Sequence, residues 1–234
     1  MTVAPKPETL PARASQDVFQ EESARYALLR RIAPALRHHL AGTMQPIGMV
    51  SAIMERRLQA EQPDLGVLRD NSKSISTLSR SAASAGMNLI TWIAPKENGI
   101  VSLQAGVEEC VGMLGTDLAF RGFTVANNIT AATMSTPISG LRNVFTAALI
   151  ALTDTALVPA SIEISSEPAD GHTLVLITVS SEPGATPPEN PRAYRKLGWA
   201  DVGALANAEQ VGLVHEAGRA EMRFAAVQDA DVTV

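Results

Sequence analysis

Leu36, Leu40, Thr43, Ile47, Val50, Met54 and Leu58 follow one another at spacings of four, three, four, three, four and four. A run of that length at helical spacing demands one long helix with a single apolar seam, close to a heptad repeat. Leu29 and Ile32 extend the pattern backwards, and Ser15 is placed to cap its start, so the helix is expected from Ser15 to about Glu61. Gln62-Pro63-Asp64 ends it, because the residue before a proline is driven out of the helical region. Leu65, Leu68, Ser72, Ile75, Leu78, Ala82, Ala85, Leu89 and Trp92 then step by threes and fours, which predicts a second helix from Asp64 to about Ile93. Two long helices joined by a few residues form an antiparallel hairpin. Each carries one apolar stripe that a lone hairpin cannot cover. Two copies make a four-helix bundle, so a homodimer is expected.

Pro95-Lys96-Glu97-Asn98-Gly99 is a turn cluster and the natural domain boundary. Three segments follow: a disordered leader at 1–14 containing Pro5, Pro7 and Pro11, the hairpin at 15–94, and a second domain at 99–234. In the second domain Val101–Leu103, Phe123–Ile129, Ser161–Ser165, Thr173–Ser180 and Glu221–Val227 read as strands. Ala105–Ala119 and Pro137–Ala156 read as helices, and Asp201–His215 as a weaker one. Glu182–Pro191 reads as a loop. The expected class is α+β, with helices packed on one face of a mixed sheet behind the hairpin.

Composition narrows the function. Hydrophobic residues are 46% and charged residues 18% of the chain, which excludes disorder for its bulk. A single cysteine, Cys110, excludes a disulfide framework and a multi-cysteine zinc site. No His/Asp/Glu set has metal-ligand spacing, and no apolar run is long enough to cross a membrane. The leader has no signal-type apolar core, so a cytoplasmic protein is expected. Net charge is −5, yet residues 1–96 hold 12 Lys+Arg against 8 Asp+Glu while residues 97–234 hold 7 against 16. The basic front half points to an acidic partner. Nucleic acid is disfavoured: the arginines have no interleaved aromatics and no recognisable reading element.

His38 and His39 carry the chemistry. With Leu36, Thr43 and Val50 at d and Leu40, Ile47 and Met54 at a, His38 falls at f, furthest from the seam, and His39 at g. An exposed imidazole on a rigid helix has a ring nitrogen able to accept a phosphoryl group from an acyl phosphate. Pro46 presses on the carbonyl of Gly42 four residues earlier, which reads as a bend one turn past His38. Arg25, Arg30, Arg31, Arg37, Arg56 and Arg57 surround the site, with Glu55 the only acid between Arg25 and Arg57. They suit an acidic phosphodonor. The other candidates are plain: Cys110 is expected in the core, His215 near a helix end, His172 at a strand start, and Trp92 and Trp199 as packing anchors.

Arg37-His38-His39-Leu40-Ala41-Gly42-Thr43-Met44-Gln45-Pro46-Ile47 resembles the H-box of sensor histidine kinases and kinase-like phosphotransferases, with His38 in the phosphoacceptor place. The order hairpin, turn, α+β domain is also similar to those proteins, and Leu141–Asp154 resembles the N-box helix of their ATP-binding domain. The departures matter as much. Ala147 and Ala151 stand where that helix should offer asparagines to Mg²⁺ and phosphate. Ser181 stands in the likely place of the adenine-site aspartate, and no glycine-rich phosphate loop follows. His39 replaces the acidic neighbour that many kinases use as a base.

The resemblance therefore implies a dimeric histidine phosphotransferase with a degenerate ATP-binding domain, holding no cofactor and no metal. It would relay a phosphoryl group between response-regulator receiver domains and would not act as an ATP-dependent kinase. His38 is the expected phosphoacceptor. Arg31, Arg37, Ala41, Gly42, Gln45 and Met49 are the expected partner-contacting residues. The alternative is a non-catalytic pseudokinase scaffold on the same dimer.

Overall fold

The computed structural model describes residues 12–93, 99–129, 134–169, 171–187 and 195–227. Helix α1 spans Ala12–Leu58 and α2 spans Leu65–Ile93, packed as an antiparallel pair. Helix α1 begins before the expected Ser15 start, so residues 12–14 are helical; the rest of the leader and residues 94–98 of the turn cluster lie outside the described residues. Asp64 accepts from the backbone N–H of Gly66 and Val67 at 2.8 and 3.2 Å and so starts α2 directly after Pro63. The seam residues Leu36, Leu40, Thr43, Ile47, Val50 and Met54 are only half-buried by α2, as a single stripe facing a single helix requires.

After the hairpin come β1 (Ile100–Ser102), α3 (Leu103–Phe120), β2 (Phe123–Asn127), β3 (Ser135–Pro137), α4 (Ile138–Gly140), a π-helical turn (Leu141–Phe145) and α5 (Thr146–Thr155). Then follow β4 (Val158–Ala169), β5 (His172–Thr186), α6 (Trp199–Ala208), β6 (Gly212–Glu216) and β7 (Arg219–Ala225). The main sheet runs β2-β4-β5-β7-β6, with β2 parallel to β4 and the other pairs antiparallel. A two-stranded sheet pairs β1 with β3. The chain is thus α+β, with a long N-terminal helical region and a five-stranded sheet domain.

Alternation places the core. Ala160, Ile162 and Ile164 on β4, Val175 and Ile177 on β5, and Ala220, Met222 and Phe224 on β7 are all at most 1% exposed, while their neighbours turn outward. Leu103, Val107, Cys110, Leu114 and Leu118 of α3 and nearly all of Leu141–Asp154 cover that face. The first half of α1 joins the same core through Ala24, Ala27, Leu28 and Ile32. Helix α1 therefore serves two masters: its first half packs on α3 and α6, its second half on α2.

Two expected elements are corrected. The helix read over Asp201–His215 stops at Ala208, and Gly212–Glu216 is the edge strand β6. Gln210, at φ 55°, turns the chain out of the helix, and the short apolar alternation that follows pairs with β7. The loop read from Glu182 onward begins later, because β5 continues to Thr186; 188–194 lie outside the described residues. His215 accordingly sits on a strand, stacked on Trp199 with ring centroids 4.0 Å apart and planes 3° from parallel. His172 opens β5.

Candidate functional site

Helix α1 continues through both Pro34 and Pro46. Proline at position 46 removes the donor that the Gly42 carbonyl would have used, and separately Thr43 Oγ1 donates to the Leu40 carbonyl at 2.8 Å. An added Cβ at Gly42 would meet nothing within 4 Å, so this glycine leaves the helix surface bare beside His38. His38 and His39 are both exposed, and neither makes a hydrogen bond or ion pair to another described residue. Arg37, Ala41, Gly42, Gln45 and Met49 are exposed as well, Met49 at 59%. His38, Ala41, Gly42, Gln45 and Met49 fall three or four residues apart and share one outward side of α1.

Arg31 does not belong to that surface. It is 5% exposed and points inward onto Asp154 at the end of α5. Its Nη2 donates to Asp154 Oδ1 at 2.7 Å and its Nη1 to Oδ2. The charge expected to meet a partner is committed to the core, because a buried carboxylate there needs a counter-ion more than solvent needs another arginine. Arg121 completes the cluster, with Nη2 3.2 Å from Asp154 Oδ1 and 2.7 Å from the Thr153 carbonyl. Burial pushes the Arg121 guanidinium down, against the pull of Asp154, and the neighbouring Arg31 adds to the fall.

Two further polar clusters tie the hairpin to the second domain. Glu209 Oε1 accepts from Arg25 Nη2 at 2.8 Å and Asn143 Nδ2 at 2.7 Å. At the end of α2, Arg142 donates to the Thr91 carbonyl at 3.0 Å, to Thr91 Oγ1 at 2.8 Å and to Glu109 at 2.7 Å, and lies over the Trp92 ring. Trp92 Nε1 donates to the same Glu109 oxygen at 2.9 Å. None of these partners was legible in the sequence: each is drawn from an element more than a dozen residues away.

The consequence for the site is a second wall. Helix α3 runs beside α1, and the two enclose a cleft of about 300 Å³ next to the histidines. His38 and His39 stand on one side, Met113, Thr116 and Phe120 on the other. Phe120 is 91% exposed at the rim. Cys110 faces the opposite way, into the core, where burial pushes its thiol up to about 12. A thiol held that far up is inert.

The place that resembles an N-box is sealed. Ala147 and Ala151 are 0% and 2% exposed, within a helix buried on every side from Thr146 to Asp154. Ser181, in the expected adenine-site position, lies on β5 and donates to the Leu157 carbonyl just ahead of β4 at 2.8 Å. Among the described residues no three His, Cys, Asp or Glu side chains are grouped to hold a metal ion, and no helix is long and apolar enough to cross a membrane.

No protein-family model matches the chain, and no curated protein matches it. Several solved structures similar in fold are histidine kinases. The histidine kinase AdeS of Acinetobacter baumannii is 16% identical over 77% of this chain and 95% of its own, with a TM-score of 0.41. Histidine kinase ThkA, solved with the response regulator protein TrrA, is 13% identical over 97% of this chain and 69% of its own, with a TM-score of 0.42. A structure described as a bacterial phosphotransferase is 13% identical over 93% of this chain and 98% of its own, with a TM-score of 0.38. At these identities no residue role passes from any of them to this chain.

Proposed function

We propose that this chain is a histidine phosphotransfer protein of a two-component relay, acting in the cytoplasm as a homodimer between receiver domains. A ring nitrogen of His38 attacks the phosphorus of a receiver's aspartyl phosphate. The N–P bond forms as the P–O bond to the aspartate breaks, and the carboxylate leaves. The reverse step on a second receiver returns the phosphoryl group to an aspartate. Such a transfer asks the protein for positioning and charge neutralisation rather than for covalent machinery of its own.

The observation that carries this reading is His38 itself: an exposed imidazole with no hydrogen-bond partner among the described residues, on a surface left bare by Ala41 and Gly42. Arg37 next to it supplies positive charge toward the acidic partner. Burial of Ala147 and Ala151 supports a phosphoryl source outside the chain, since a nucleotide without metal ligands or phosphate donors is not held. The half-buried seam of α1 and the exposed Met44, Ile53, Met87 and Ile90 support pairing of two hairpins into a four-helix bundle.

Transfer from a phosphorylated receiver domain tests the reading. Wild type and His39→Ala should take up label and His38→Ala should not, although either substitution should alter stability by less than about 0.5 kcal/mol. If label stays on the receiver in every case while the receiver still binds, the chain is a scaffold. If His39→Ala alone fails, His39 is the acceptor.

A further inference from the structure

The cleft between α1 and α3 has features that docking of a receiver against His38 does not require. Its α1 wall is the stripe Arg31, Pro34, Ala35, His38 and His39; its α3 wall includes Gly112, Met113, Thr116 and Phe120. Its volume of about 300 Å³ lies at the lower end of the range of small-molecule pockets. Liquid water takes roughly 30 Å³ per molecule, so the space suits a ligand of roughly ten to fifteen heavy atoms. The opening is maintained by small residues, above all Gly112, where an added Cβ would meet nothing within 4 Å. Glycine is among the poorest formers of a helix interior, so a bare position inside α3 works against the helix that carries it.

The charged groups in and behind the walls already have partners. Arg31 is held by Asp154, and Asp117 lies 3.7 Å from Arg121 in an ion pair. On α2, no charged residue occurs between Arg80 and Ile93. What remains to meet a ligand is apolar surface from Pro34, Ala35, Met113 and Phe120, with the two imidazoles and the Thr116 hydroxyl. A neutral imidazole has one N–H donor and one ring-nitrogen acceptor and the hydroxyl has one donor and two lone pairs, and none of the three groups is engaged by another described residue.

We propose that this cleft binds a small neutral amphiphile, an apolar body with one hydroxyl or phenol head, and that its occupancy blocks the face of His38. The lining offers an acid no arginine or lysine free of a partner, and it favours a head that exchanges hydrogen bonds with an imidazole and Thr116 while its body lies on Met113 and Phe120. A molecule seated there occupies the space beside the His38 ring. The blocking role rests on the phosphotransfer reading; the binding does not.

The test uses 4-propylphenol as the ligand and the full chain as the protein. Imidazole C–H resonances of His38 and His39 and the Met113 methyl resonance are followed by NMR during titration. Saturable shifts in all three are expected in wild type. Gly112→Leu, which fills the cleft from its open wall while improving helix propensity, should abolish them. Ala35→Leu fills it from the α1 side and serves if Gly112→Leu does not fold. Phosphoryl uptake from a labelled receiver should slow by about five-fold or more at saturation in wild type, whereas adding 4-propylphenol to the filled variant should leave that variant's own uptake rate, whatever its starting value, unchanged. Absence of saturable shifts, or equal shifts in the filled variants, overturns the site. Saturable shifts without slowing of uptake overturn its blocking role. If wild type takes up no label at all, the phosphotransfer reading has failed, and the NMR arm still decides the binding.

Discussion

Arg31 and Asp154 are 123 positions apart in the chain and meet in a two-pronged ion pair whose side chains are each 3% exposed. The pair joins the helix that carries His38 to the innermost helix of the second domain. It also divides the arginines of α1 into two kinds, those that face solvent and those that hold the fold. Arg31→Ala takes two charge-assisted hydrogen bonds from buried Asp154 and leaves it Arg121 alone, so it should cost about 1.5–3 kcal/mol in urea unfolding, whereas the exposed Arg37→Ala should stay within about 0.5 kcal/mol. Equal effects of the two substitutions would contradict the division.

Glu209 ties α6 to Arg25 of α1, and its titration gives the contact a pH signature. Burial alone would push its carboxyl up, yet hydrogen bonds from Ser139, Arg25 and Asn143, and the Arg25 charge, hold it below the ordinary glutamate range. A depressed carboxylate stabilises the fold above its unfolded value, and that contribution is lost as pH falls through the folded value. Glu209→Gln should therefore cost about 1–2 kcal/mol near neutral pH, and the gap to wild type should close in the acid range below about pH 4. Chemical unfolding of both proteins across that range checks it; a constant gap would show that the charge is not what matters.

Dimerisation through the hairpin is open to direct measurement. Ile47 is half-buried by α2, with the remainder of its surface free in the single chain. Ile47→Asp places an unpaired carboxylate in the proposed bundle core, at a cost of several kcal/mol, and should give a monomer in sedimentation at micromolar concentration. Wild type should sediment as a dimer under the same conditions. A monomeric wild type would remove the bundle from the proposal.

Titration calorimetry with Mg-ATP should show no saturable heat. Ala147 and Ala151 are packed on all sides, so Ala147→Asn should not create a metal ligand. It should overpack α5 and bury an amide, with a loss of about 1–3 kcal/mol. A low-micromolar dissociation constant for the wild type would return the kinase reading.

Periodicity was enough to find the hairpin. The three-and-four spacing of Leu36 to Leu58 and the break at Pro63 are local properties of helix geometry, and local geometry is written in neighbouring residues. The same holds for the alternating strands around Ile162 and Ile177, and for His38 at an outward position of its helix. Sequence proximity misled where pairing partners are distant. The short segment at Gly212–Glu216 continues a helical-looking run and becomes a strand only because β7 offers it an edge. His215 was read by its place along the chain and belongs to a stack with Trp199, sixteen positions earlier.

What the sequence by itself determined is that two long helices form a hairpin, that His38 lies at an outward position of the first, and that Ala147 and Ala151 carry no side chain able to ligate a metal. The tertiary structure alone decided where Arg31 points and what stands opposite His38. Asp154, Thr116 and Phe120 lie about 80 to 120 positions beyond the histidines, on helices whose placement follows from burying one sheet face. Charge pairing in a low-dielectric interior is settled by which groups the packing brings within hydrogen-bond reach, and no local pattern in α1 encodes that distance.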